Sequence, residues 1–266
     1  MAAQSRRICE TGAKGAWLVM VHGMSQDHRV FSAQVDAFKD RHPILLIDLP
    51  GHGLSVDLPG PFGHWELAAQ VDGAITAAGI DRCHYWGTHT GAALGLLLAT
   101  REPARFQALI LEGTVLPGHA MPSVDRELQR ARETAQTRGM AAARQQWFAR
   151  AAWFAVMRQR PGPCRAAEHA AMIGQFPGAP WLYQGASRAV EPIDGQIAAL
   201  ETPVLFYNGE HELPDFIAAA DRLQALLPNA RRAAIAQAGG FPAWEFPEPV
   251  NALVAEFLTA VTCAAS

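Results

Sequence analysis

Short blocks of consecutive apolar residues recur along the chain and are separated by stretches of amphipathic spacing. Residues 16–21, 44–48, 83–86, 106–111, 203–208 and 231–237 read as strands; 16–21 is apolar throughout, and most of the others are largely apolar. Such runs suit strands covered on both faces, as in a mostly parallel sheet. A short edge strand fits near 7–9. Between the blocks, 31–40, 65–78, a segment starting at about Thr90, 215–227 and 249–259 have helical spacing, and Gly79 supplies a stop signal after the second of them. Strands alternating with helices predict an α/β fold with helices on both faces of the sheet. Only 14 residues precede the first strong strand, so the N-terminal strands are expected to be abbreviated.

The pattern changes between residues 117 and 192. No strand-like run occurs there. Ala, Arg, Gln, Met and Trp dominate, helical stretches fall near 123–138, 140–159 and 163–174, and Pro161-Gly162-Pro163 and Pro177-Gly178-Ala179-Pro180 punctuate them. This predicts a helical cap at 117–192 inserted between two parts of one core, 1–116 and 193–266. Trp147, Phe148, Trp153, Phe154, Met157, Met172, Phe176 and Trp181 belong to it. Most would pack, but a lid must turn some inward, which predicts an apolar small-molecule pocket.

Composition narrows the partners. Half of the residues are hydrophobic and 18% are charged, with a formal net charge of −3. That balance builds one large core and offers no basic stripe, so neither nucleic acid nor an anionic membrane is an expected partner. No apolar run reaches the ~18 residues of a membrane span, and the N-terminus has no secretory signal pattern. Cys9, Cys83, Cys164 and Cys263 lie far apart and form no C-x-x-C pair. Reduced thiols, no metal site, no cofactor and a cytoplasmic location are expected.

The chemistry-bearing residues cluster just after strands. His22, Asp48, His89, Glu112, Glu210 to Glu212 and Gly240 all occupy such positions, and open parallel sheets carry their sites at the carboxyl ends of strands. The turn Gly87-Thr88-His89-Thr90-Gly91 has the form G-x-S-x-G with histidine in the serine position. In a strand-to-helix elbow the central residue is pushed above the sheet edge, and the flanking glycines allow strand and helix to approach closely.

These residues resemble the α/β-hydrolase superfamily over nearly the whole chain outside the cap. Val21-His22-Gly23-Met24 is similar to its oxyanion loop. Asp48-Leu49-Pro50-Gly51-His52-Gly53-Leu54-Ser55 matches D-x-x-G-x-G-x-S. The elbow is 87–91, residues 203–212 resemble the strand that delivers the triad acid, and 238–247 resemble G-H-x-x-x-x-E-x-P. The departures are as clear: His89 stands for the serine, Gly240 for the histidine, and Glu212 for the aspartate. A conventional serine hydrolase needs a hydroxyl, a base within reach and a carboxylate to hold that base, so the resemblance implies an atypical member.

The resemblance implies a backbone oxyanion hole from Met24 and Thr90. Losing the histidine at Gly240 leaves an imidazole-sized space that the His89 ring is expected to fill, oriented by Glu212 as an acid/base dyad. The expected activity is cofactor-independent chemistry on a small carbonyl compound, such as an ester, lactone or diketone, by hydrolysis or by a base-driven lyase, cyclase or isomerase reaction. The alternative is a catalytically silent small-molecule binder on the same fold. Ser25, Glu112 and His22 are alternates for a catalytic role, although structural roles suit Ser25 and His22. Trp86, Trp147, Trp153 and Phe241 are the expected pocket residues. His28, His52, His64 and His119 have no partner nameable from sequence.

Overall fold

The computed structural model describes residues 3–8 and 13–264; the expected thiol at Cys9 lies outside them. The chain runs β1 (Ser5–Ile8), β2 (Trp17–Val21), α1 (Ser32–Phe38), β3 (Ile44–Ile47), α2 (His64–Ala77), β4 (Cys83–Thr88), α3 (Thr90–Arg101) and β5 (Phe106–Glu112). Helices α4 (Pro122–Arg138), α5 (Met140–Arg150), α6 (Ala155–Gln159), α7 (Ala166–Gln175), α8 (Ala179–Leu182) and α9 (Asp194–Ala198) follow. The order closes with β6 (Val204–Gly209), α10 (Pro214–Leu226), β7 (Arg231–Ile235), α11 (Pro242–Glu245) and α12 (Pro247–Ala264).

The strands form one seven-stranded sheet in the order β1-β3-β2-β4-β5-β6-β7 among the described residues. Only β1 is antiparallel, paired with β3 at the edge, and its residues are mostly exposed. The central strands are apolar at successive positions because both faces are covered. Leu18, Met20, Trp86, Ile110 and Leu205 point to the face carrying α1 and α12, where Phe38, Val254 and Leu258 meet them. Their neighbours Val19, Val21, Tyr85, Leu109, Leu111 and Phe206 point to the face of α2, α3 and α10, against Val71, Ile75, Leu97 and Leu223. The alternation of side chains along each strand thus divides one apolar run between two core layers.

The stretch expected as a single helix at 140–159 is broken. Helix α5 ends at Arg150, Ala151 is extended (φ −58°, ψ 132°), and a 3-10 turn over Ala152–Phe154 leads into α6. Arg158 stabilises the break by donating to the carbonyls of Phe148 (2.7 Å) and Ala151 (2.9 Å), groups that a continuous helix would have bonded internally. The turn aims Trp153 and Phe154 at the sheet edge, where both line the pocket described below. No helix among the described residues is long and apolar enough to cross a membrane.

Candidate active site

The elbow between β4 and α3 fits its sequence pattern closely. His89 sits at φ 47° and ψ −107°, a conformation non-glycine residues rarely adopt. A side chain on Gly87 would strike the Gly91 backbone, and one on Gly91 would strike the Val21 carbonyl, so both glycines are fixed by close backbone approach. The His89 N–H donates to the Glu112 carbonyl (2.8 Å), which ties the elbow to the end of β5. Its neighbour Thr90 opens α3, with its N–H directed outward from the first helical turn.

The imidazole of His89 is fully buried. It packs against Phe216 (ring centroids 5.0 Å) and Phe241 (4.8 Å), and it covers Gly113, where an added Cβ would lie 2.6 Å from Nε2. Neither ring nitrogen makes a hydrogen bond of good geometry among the described residues, although the Gly240 backbone lies close enough to act on the ring as an acceptor. Burial pushes the His89 pKa down to about 4, with the Gly240 backbone pulling weakly the other way, so the ring is neutral near pH 7.

The space beside Gly240 differs from the sequence-based expectation. A Cβ there would meet Trp153 Cβ at 2.7 Å and the Trp153 carbonyl at 3.0 Å. The broken helix of the cap, rather than His89, fills the room of the missing side chain. The expected His89–Glu212 hydrogen bond is also not made. Glu212 accepts from the Leu213 N–H (2.9 Å) through Oε1, and Oε2 has no partner. Burial, aided by the nearby Glu112 and Glu245 and opposed by the Leu213 N–H, raises its pKa to about 8. A proton-bearing carboxyl group cannot act as the anionic orienter that a dyad needs.

Glu112 and Glu245 share this region. Glu112 accepts from the Ala243 N–H (2.7 Å), and burial raises it to about 8. Glu245 accepts from the Gly239 N–H (2.5 Å), and burial raises it to about 7. Three buried carboxyl groups therefore lie behind the elbow, with no cation among the described residues paired to any of them. Glu112 does not line the pocket, which corrects its place among the alternates.

A cavity of about 240 Å³ opens above the elbow. Met24, Ser25, His89 and Thr90 form its floor, Trp147, Trp153 and Phe154 its cap side, and Phe216 and Phe241 one wall. The N–H groups of Met24 and Thr90 have no partner among the described residues, leaving two backbone donors at the pocket floor. Trp86 does not belong here. It is fully buried on the α1 face, donates to the Tyr207 hydroxyl (3.0 Å) and packs edge-on against Phe31 and Phe38. Side-chain alternation along β4 sends position 86 into the core.

The remaining candidates are structural. His22 turns one nitrogen to the Gly23 carbonyl (2.7 Å) and accepts from the Leu49 N–H (3.0 Å) with the other. The Ser25 hydroxyl accepts the Trp147 indole N–H (2.9 Å), and no base contacts it, which removes a displaced serine nucleophile. His28 meets Asp48 (2.8 Å), His119 meets Asp194 (2.9 Å), and His52 accepts from the Ser25 N–H (3.2 Å), so these three have partners that the sequence alone did not name. The reading missed His169 in α7, fully buried between Phe154, Phe241 and Trp244 and pushed down to about 3 by that burial. A lone histidine in an alanine-rich helix gave no signal of this. Gly113 was also missed, although a glycine directly after a central strand invites the question of what lies over it.

The comparisons agree with this fold. A crystal structure of an enol-lactonase from Burkholderia xenovorans superposes with a TM-score of 0.81, at 22% identity and with 96% of each chain covered. A pimeloyl-[acyl-carrier protein] methyl ester esterase of Nitrosomonas europaea is 25% identical over 242 residues, covering 90% of this chain and 94% of that protein. A 2-succinyl-6-hydroxy-2,4-cyclohexadiene-1-carboxylate synthase of Serratia proteamaculans is 34% identical over 125 residues, 45% of this chain and 46% of that enzyme. The chain spans less than half the length of the curated relatives matched at about this identity (37%, 38% and 46% for three of them). These relatives are hydrolases and related enzymes. A family model described as the alpha/beta hydrolase fold matches residues 16–247, and the chain belongs to that family.

Proposed function

We propose that the chain is an enzyme acting without a cofactor on a small, apolar carbonyl compound, an ester, lactone or diketone, and that it does so without a Ser-His-Asp triad. In this reading residues 117–192 are the cap that closes the pocket. One observation carries the proposal: two backbone donors without a partner among the described residues, Met24 N–H and Thr90 N–H, stand beside an imidazole held by no hydrogen bond of good geometry, on the floor of an apolar cavity. The donors would hold negative charge developing on the substrate oxygen. Neutral His89 would accept a proton from water as the water oxygen bonds to the carbonyl carbon, then pass that proton to the group expelled as the bond breaks, the alkoxide oxygen of an ester or lactone or the enolate of a diketone. A base with a pKa of about 4 is weak, so turnover should be slow and flat between about pH 5 and 8.

The dyad with Glu212 does not enter the proposal as a preformed pair. It would require Glu212 to ionise and turn Oε2 to the ring. Turnover of a panel of small esters, lactones and 1,3-diketones by wild type and His89→Ala tests the reading. Activity lost in the variant supports it, and activity unchanged in the variant sinks it.

A second reading, a silent binding protein, is favoured by the protonated Glu212 and by the missing bond between it and His89. Wild type that binds apolar carbonyl compounds, never turns them over, and keeps its affinity in His89→Ala would establish this reading instead.

A further inference from the structure

The loop carrying the Met24 donor is tied at almost every polar atom. Gly23 N–H donates to Gln26 Oε1 (3.2 Å), and Ser25 N–H to His52 Nε2 (3.2 Å). The Ser25 hydroxyl accepts the Trp147 indole N–H (2.9 Å), and the Gln26 amide lies 3.5 Å from His169 Nε2. Trp147 and His169 stand on α5 and α7, outside the sheet core, and His52 itself stacks on Phe176 beyond α7 (4.7 Å, 24°). Met24 N–H is the donor left over. Ser25 holds φ 63°, a left-handed conformation costing a serine about 1 kcal/mol, and such strain persists only where the surroundings over-determine it.

Trp147 has a second role. The residue lines the inner cavity of about 240 Å³ and also an outer cleft of about 410 Å³ between α4 and α5, bordered by Arg130 and Arg150. Trp147 is the residue common to both linings, so a passage formed there by movement of its side chain would break the bond to Ser25.

We infer that Trp147 is a positioning residue for the oxyanion donor of Met24, and that the outer cleft and the inner pocket join only when that donor is released. Closure of the wall and completion of the oxyanion hole are then one event. The inference rests on the reading above in which Met24 N–H holds substrate negative charge.

Two variants and two readouts test it. Trp147→Phe keeps most of the wall and removes the N–H, whereas Ser25→Ala keeps the indole and removes its acceptor. Amide hydrogen exchange over residues 22–29 should quicken about tenfold in both variants, with β2 exchange unchanged. At about pH 7, the affinity for phenylacetate, whose carboxylate mimics the oxyanion, should fall about tenfold relative to that for ethylbenzene. For any substrate turned over, kcat should fall with KM little changed, and the double variant should be no worse than either single one. Unchanged exchange in both variants overturns the inference, whatever the ligands do. Quickened exchange in a wild-type background that binds ethylbenzene but not phenylacetate means that the tie exists and serves no oxyanion hole, which overturns the functional reading and this inference with it.

Discussion

The ground around and behind the pocket floor has two sides built from the same residue types and treated in opposite ways. On the side of the oxyanion loop, buried polar groups are satisfied. Asp48 accepts from the backbone N–H groups of His28 (2.6 Å) and Leu54 (2.8 Å) and meets the His28 ring, while both nitrogens of His22 and of His52 are engaged. On the acid side, both nitrogens of His89, one oxygen each of Glu212 and Glu245 and the Asn208 amide make no hydrogen bond of good geometry among the described residues, the amide lying beside Glu212 and the Gly240 backbone beside His89. An unsatisfied buried polar group costs about 1–3 kcal/mol, and a fold does not retain several together for packing alone. The satisfied side belongs to the scaffold. The unsatisfied side is where a ligand would be recognised, or where a former triad left its surroundings behind.

That contrast predicts unequal responses to mutation. Asp48→Ala should cost the most, about 3–5 kcal/mol in denaturant unfolding, because two backbone donors and the His28 ring lose their buried acceptor. A loss below about 1 kcal/mol would mean that the two sides do not differ as argued. Glu212→Gln should act in the other direction. The folded pKa of Glu212 lies near 8, above the ordinary carboxyl value, so its protonated form is favoured by folding. Its contribution is fully present below about pH 4.5 and is lost as the pH rises toward 8, at up to roughly 1 kcal/mol per pH unit. The Gln variant keeps an acceptor for the Leu213 N–H and should unfold at higher denaturant than wild type at about pH 8, with little difference at about pH 5. Equal stability at both pH values would show that Glu212 ionises freely and belongs to no unsatisfied side.

The sheet was legible because its strands must be apolar on both faces, and that requirement writes itself into residues 16–21 or 108–111 as uninterrupted runs. The elbow was legible because Gly87 and Gly91 answer to local backbone contacts. The reach of a side chain across the sheet edge is not written locally. Whether Trp153 or His89 takes the room at Gly240 depends on where α5 breaks, and that depends on Arg158 reaching back to two carbonyls. The same holds for Glu212, whose proton is decided by burial and by two other glutamates far away in sequence. Trp86 was misplaced for a simpler reason: proximity to the elbow in sequence says nothing of which sheet face a side chain takes.

The smaller effects probe the acid side directly. Gly113→Ala would place a methyl group against His89 Nε2 at a residue with φ 60°, and should cost about 1–3 kcal/mol while displacing the ring. The His89 imidazole resonances should move in the variant; unchanged resonances would mean that the ring does not lie over Gly113.

The smallest expected effect is also the sharpest. The His89 pKa, followed by NMR of the ring, should lie near 4 in wild type and shift by less than about half a unit in Glu212→Gln, because burial sets it and Glu212 is not bonded to it. An anionic Glu212 in contact with the ring would instead raise the His89 pKa, and the Gln variant would then bring it down. A fall of about one unit or more would reinstate the dyad, place the chemistry on a His–Glu pair, and move Glu212 from the surroundings of the site into its mechanism. A flat response leaves His89 to act alone and makes the Met24 and Thr90 donors the main source of any rate enhancement.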